Sequence, residues 1–170
     1  MTAWVNNDGL AVKFGLDQAT PDRVSKVSTA GEVKQLVVKI VGTEVPATDA
    51  PLSSLTGLPD KAFIISAQLY VTTAFVGSSA TLDIGLWSDD GDGTYTVIDM
   101  DGIGVAIATT ALDTVGQGAD DFTECGGALI GVRLSTISGA RDVLVSTHYN
   151  TAAFTAGEAT LVINYKNFNQ

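Results

Sequence analysis

Residues 63–87, FIISAQLYVTTAFVGSSATLDIGLW, constrain the fold more tightly than any other stretch of the chain. Phe63, Ile65, Ala67, Leu69, Val71, Thr73 and Phe75 alternate with Ile64, Ser66, Gln68, Tyr70 and Thr72. A period of two marks a strand, because successive strand side chains point to opposite faces. Ala80, Leu82, Ile84 and Leu86 repeat the pattern against Thr81, Asp83, Gly85 and Trp87, and Gly77-Ser78-Ser79 between the two runs is turn chemistry. The stretch is expected to form a hairpin with one apolar face. A hairpin alone is marginal in water, so that face demands a second layer from the rest of the chain.

The flanking sequence supplies candidates for that layer. In residues 33–40, Leu36, Val38 and Ile40 share a face while Lys39 points the other way, which predicts a strand with one wet side. Residues 43–60 read as a long connection broken by Pro46, Pro51 and Pro59, with a short turn of helix as an option over residues 53–57. A connection of this length in a compact domain suggests contacts outside the subunit. Residues 94–98 read as a strand. Residues 99–112 are expected to form one short helix, since Ile103 and Ile107 stand four apart and Asp101 could cap it, although Gly102 and Gly104 weaken the pattern. Residues 113–127, rich in Gly and acids, read as loop. Three more strands follow. Residues 129–136 place Ile130, Val132 and Leu134 inward; residues 142–149 place Val143, Val145, Thr147 and Tyr149 on one face; residues 160–165 do the same with Leu161, Ile163 and Tyr165. No internal repeat of fixed period is present.

Residues 1–30 offer little core of their own. Asn6-Asn7-Asp8-Gly9 is a turn, residues 10–14 form a short alternating strand, and a polar run containing Pro21 follows. Such a terminus is held by a partner or neighbouring subunit, with Trp4 and Phe14 as anchors, or else tucks against its own domain. A chain of 170 residues suits one domain and buries about 70% of its unfolded surface. The expected architecture is therefore all-β. It is a single-domain β-sandwich over residues 31–170, jelly-roll-like, with an extended N-terminal arm over residues 1–30 and at most one short helix.

Charge narrows the partners. The net charge is −10, and residues 62–132 contain no Lys or Arg. With no basic stripe to displace counterions from phosphates, nucleic acid is not an expected partner, and an anionic membrane surface is disfavoured for the same reason. No apolar run approaches the roughly 20 residues of a membrane helix, and the first residues show no secretory signal. Cys125 is the single cysteine, so no intrachain disulfide forms, and a small buried thiol is the simplest reading.

No catalytic group announces itself. Asp89-Asp90-Gly91-Asp92-Gly93 invites a calcium reading, yet counted from Asp90 the sixth loop position is Tyr95 and not Gly, and Asp-Gly pairs are ordinary turn residues. Gly102-Ile103-Gly104 lacks the third small residue of a dinucleotide fingerprint, because Ile107 stands there. His148, the sole histidine, shares a face with Leu144 and Ser146, and without a nucleophile elbow it reads as a surface or edge side chain. Carboxylate pairs for glycoside hydrolysis depend on spatial separation, and two tryptophans are few for a sugar cleft. No enzymatic activity, cofactor or metal is expected.

The order WVNNDGLAVKFG, then a strand, then KAFIISAQLYVTTAFVGSSATLDIGLW, an Asp-Gly turn and IDMDGIGVAIA resembles capsid decoration or cement proteins of tailed-bacteriophage virions. The likeness is one of texture and order and runs from about residue 4 to 109. It implies a β-sandwich or jelly roll made in the host cytoplasm that binds the outer surface of a capsid and reinforces it. The partner would be the major capsid protein lattice, and the assembly a homo-oligomer, with a trimer favoured. On the residues themselves, the arm and the Pro-rich connection are the candidate capsid or subunit contacts: Trp4, Leu10, Val12, Phe14, Pro46, Pro51 and Leu55. Many weak contacts of this kind would add through avidity. The competing expectation is a receptor- or glycan-binding module, such as a head fibre or tail appendage.

Overall fold

The computed structural model describes residues 3–5, 11–13, 32–52, 57–89, 94–108, 122–134 and 142–167. Two strands open the chain, β1 (Ala3–Val5) and β2 (Ala11–Lys13), and pair antiparallel. Then come β3 (Val33–Val41), a 3-10 turn over Gly42–Glu44, β4 (Ala50–Pro51), β5 (Gly57–Pro59), β6 (Ala62–Val76), β7 (Thr81–Asp89), β8 (Tyr95–Ala108), β9 (Phe122–Glu124), β10 (Asp142–Asn150) and β11 (Ala156–Asn167). One sheet runs β3-β11-β6-β9; the other runs β4-β10-β7-β8, with β5 also paired to β10. This is the strand order of a jelly roll, in which consecutive strands pass back and forth between two antiparallel sheets.

The apolar residues of β3, β6 and β11 meet those of β7, β8 and β10 in one core. Leu36, Val38 and Ile40 are buried on β3 as the alternation predicted, and Leu161 and Ile163 are buried on β11. On β7 the buried apolar side chains are Leu82, Ile84 and Leu86. Gly157 closes the end of the core: its backbone, at a φ of 136°, lies so near the Phe75 ring that a Cβ would come within 2.4 Å of it.

The predicted hairpin at residues 63–87 is corrected by the pairing. β6 pairs with β11 and β9, and β7 with β10 and β8, so the two strands belong to opposite sheets. The turn at residues 77–80, with Ser79 in the left-handed region at a φ of 56°, carries the chain across the core. The Val76 carbonyl accepts from the Thr155 N–H at 2.8 Å. Crossing over lets the two apolar faces cover each other, whereas a hairpin would have left both facing the same way.

Bulges account for the other departures. Between Asn164↔Ser66 and Tyr165↔Ile64 the register of β6 slips, so Ile64 is fully buried while Phe63 and Ile65 are half-buried. A second slip near Glu158 turns Thr73 outward. The expected helix at residues 99–112 is strand β8 through Ala108, beyond which it lies outside the described residues; the strand pairs to β7 as Leu86↔Asp99, Ile84↔Gly104 and Leu82↔Ile107. The extra residues between those pairs turn both Ile103 and Ile107 inward, which reproduces a spacing of four without a helix. The expected strand at residues 129–136 is, over the described residues 129–134, a turn followed by a single bridge, Arg133↔Phe63; Leu134 is buried but Val132 points out. β9 was read as loop, and the acidic run beyond Asp89 lies outside the described residues.

Candidate interaction surfaces

The face of the β10-β7 pair turned away from the core carries a polar cluster. Alternation alone puts Asp83 and Trp87 of β7 on this face, and the register sets His148 opposite Asp83 and Leu144 opposite Trp87. His148 Nε2 lies 3.2 Å from Asp83 Oδ2, and that carboxylate also accepts from the Asn150 amide and the Ala106 backbone N–H. A buried carboxylate is costly unless its lone pairs are met, and three donors meet this one. On the other side of the imidazole stands Asp49, from the segment leading into β4; it accepts from the Trp87 indole N–H. Its Oδ1 is 3.6 Å from His148 Nδ1, beyond hydrogen-bond reach, and both atoms are buried.

This cluster corrects the reading of His148 as a surface or edge residue. β10 lies between β4/β5 and β7, and the histidine side chain is only 15% exposed. The arrangement binds four elements together: β10, β7, β8 and the segment before β4. Ser146, two residues before His148 on the same face, is fully buried, and its Oγ has no hydrogen-bond partner among the described residues. Period-two alternation could have put His148, Asp83 and Trp87 on outer faces, but the register joining them depends on two strands separated in sequence by residues 90–141, and nothing local marks Asp49.

The candidate contact residues fall in two places. Trp4 and Val12 are register partners in the β1-β2 pair. Leu10, Phe14 and Leu55 lie outside the described residues. Pro46 and Pro51 both line β10: the Pro46 carbonyl accepts from the Tyr149 N–H at 3.0 Å, and Pro51 is opposite Ser146. The connection expected to be a free loop is thus largely engaged with its own sheet through β4 and β5, leaving the two prolines half-buried. The structure does not bring the β1-β2 residues and the prolines into one described contact.

The larger apolar exposure lies on two strands that were not singled out. β3 presents Val33 and Val37, and β8 presents Tyr95, Val97, Met100 and Val105. Beside them on β8, burial raises the pKa of Asp99 above the usual carboxylate value, and the hydrogen-bonded, like-charged Asp101 adds to the shift. Burial also pushes the Cys125 thiol up to about 12. Among the described residues no group of three or more His, Cys, Asp or Glu could hold a metal ion, and no helix is long and apolar enough to cross a membrane.

No protein-family profile matches the chain, and no curated protein matches it. Solved structures do. A chain in the capsid of Ralstonia phage GP4 is 19% identical with a TM-score of 0.50, over 87% of this chain and 93% of that one. A chain in the capsid asymmetric unit of cyanophage Pam1 is 16% identical with a TM-score of 0.46, over 91% and 97% of the two chains. A chain in the acid-stable capsid of Helicobacter pylori bacteriophage KHP30 is 12% identical with a TM-score of 0.43, over 79% and 86%. At these identities the likeness is one of fold.

Proposed function

We propose that this chain is a structural, non-catalytic component of a tailed-phage virion that binds the outer surface of the capsid and stabilises the shell, in the manner of a decoration or cement protein. The observation that carries this reading is the likeness of fold to a chain in the capsid of Ralstonia phage GP4, which spans 87% of this chain and 93% of that one at a TM-score of 0.50. Two features of this chain support it. The cluster around Asp83 and His148 ties β10, β7, β8 and the segment before β4 together, so its polar contacts serve architecture. The chain also places apolar side chains on exposed strands, as a protein that works by contact requires.

In this reading residues 1–30 are an arm that reaches a neighbouring capsid subunit, and Trp4, Val12 and the half-buried Pro46 and Pro51 contribute contacts. The partner is the major capsid protein lattice and the chain acts as an oligomer, with a trimer favoured, synthesised in the host cytoplasm before it joins the particle. Each contact is weak, and repetition over the lattice supplies the affinity.

Electron microscopy of the particle that contains the protein tests the reading directly. Density for this jelly roll repeated over the outside of the head is expected. Density continuous with the shell floor would make it a shell-forming subunit, and density confined to one vertex or to fibres would sink the decoration role. Deleting residues 1–30 should abolish binding to bare capsids with the thermal transition retained.

A further inference from the structure

The edges of the two sheets fall on opposite flanks of the sandwich. β3 and the short β4 and β5 bound one flank; β8 and the three-residue β9 bound the other, where residues 127 and 129 bond to the backbone of Ile103 and Gly102. Short edge strands are one way in which proteins keep their sheets from pairing with strangers. β4, β5 and β9 are short, but β3 has 9 residues and β8 has 14. Among the described residues no strand pairs with the outer side of β3; the outer side of β8 is covered at Gly102 and Ile103 by residues 127–129, and no described strand pairs with it over residues 95–101. Both carry exposed apolar side chains: Val33 and Val37 at 56% and 57%, and Val97, Met100 and Val105 at 42%, 52% and 51%.

Their charges are opposite. β3 carries Lys34 and Lys39, and β8 carries Asp99 and Asp101, while neither β8 nor β9 contains a Lys or Arg. The geometry points to a second copy of this chain as the occupant: the β3 edge of one copy docks on residues 95–101 of the β8 edge of the next, a strand that bears lysines beside one that bears aspartates. Pairing β8 with β8 would oppose Asp99 and Asp101 to themselves, and pairing β3 with β3 would oppose the lysines; like charges directly across a strand pair are unfavourable. A basic partner protein could cover β8 but would leave β3 bare, whereas one self-contact covers both. Because the edges lie on opposite flanks, the contact is heterologous and repeats head to tail, closing into a ring or continuing as a row. Strand addition at an edge supplies main-chain hydrogen bonds, and the alternate side chains set the choice of partner. The inference concerns the free chain in solution and does not rest on a virion role.

Sedimentation velocity of the full chain over a concentration series should show a species larger than one chain, weakening as salt is raised because exposed charges are screened. Lys34→Glu with Lys39→Glu should abolish that species, as should Asp99→Lys with Asp101→Lys. All four substitutions in one chain should restore it. Lys39 also pairs with Glu158 at 3.0 Å on the surface, so Val37→Glu, at an exposed position, serves as an independent β3 variant that should likewise remain monomeric. Circular dichroism and a thermal transition establish that each variant folds. A parent chain that stays monomeric, an oligomer that survives these variants, or a fourfold variant that fails to reassemble while folded would each overturn the proposal.

Discussion

Gly85 shows how closely single positions are specified. A Cβ there would lie 2.4 Å and 2.5 Å from the carbonyl oxygens of Asp99 and Met100, where the bulged part of β8 crosses β7. These are backbone atoms inside a paired strand and cannot swing aside as a side-chain tip can. Gly85→Ala should therefore destabilise by about 1–3 kcal/mol or more, read as a lower urea midpoint. Asp99 is a residue whose cost depends on pH. Its pKa is raised in the folded chain, so the folded state is favoured by the protonated form: stability is full below the ordinary carboxylate pKa and falls as pH rises through the folded value. Asp99→Asn should therefore be more stable than the parent near pH 7 and no more stable near pH 3, by denaturation midpoints; equal midpoints near pH 7 would show that the charge carries no penalty. Cys125 lies at the other extreme. With its thiol pushed up to about 12, almost no thiolate exists at pH 8, and a disulfide-exchange reagent should react only after urea has unfolded the chain.

At the scale of elements, the segment between the 3-10 turn and β5 is held to the sheet by β4, by the Tyr149 N–H bond to Pro46 and by Asp49. Removing the Asp49 carboxylate strands the Trp87 indole N–H in a half-buried setting, which costs about 1–3 kcal/mol when such a donor is left unmet. Asp49→Ala should lower the denaturation midpoint by that amount and shift the tryptophan fluorescence, because Trp87 loses its partner. An unchanged spectrum and midpoint would show that the contact adds nothing. The bulges are the second lesson at this scale. They let β6 and β8 pair over most of their length while turning Ile64, Ile103 and Ile107 inward, so each long strand departs from strict alternation where the core requires it.

The molecule has one core shared by both sheets, so damage to either sheet should be felt by the whole. Leu82 on β7 and Leu161 on β11 are both fully buried. Leu82→Ala and Leu161→Ala should each cost about 2–5 kcal/mol. In each case fluorescence of Trp87 in one sheet and far-UV circular dichroism of the whole chain should report a single coincident transition. Two separated transitions would mean that the sheets unfold independently.

Much of this fold was legible in the residues. Period-two runs at residues 33–40, 80–86, 142–149 and 160–165 identified strands and most of their buried faces, because alternation is a property of each strand by itself. The class of the fold followed, since several one-sided strands and few helix signals leave a sandwich as the way to bury the apolar faces. The sequence alone did not determine which strand pairs with which. The run from Phe63 to Trp87 reads as a hairpin, because the turn at Gly77 and Ser79 permits one, and only the pairing with β10 and β11, far along the chain, assigns its two strands to opposite sheets. The same long-range pairing made Ile103 and Ile107 look helical, brought His148 to Asp83 and Asp49, and left β3 and β8 as the long edges. Local chemistry sets the direction of a side chain relative to its own strand; its neighbours are set by registers that exist only once distant strands have met.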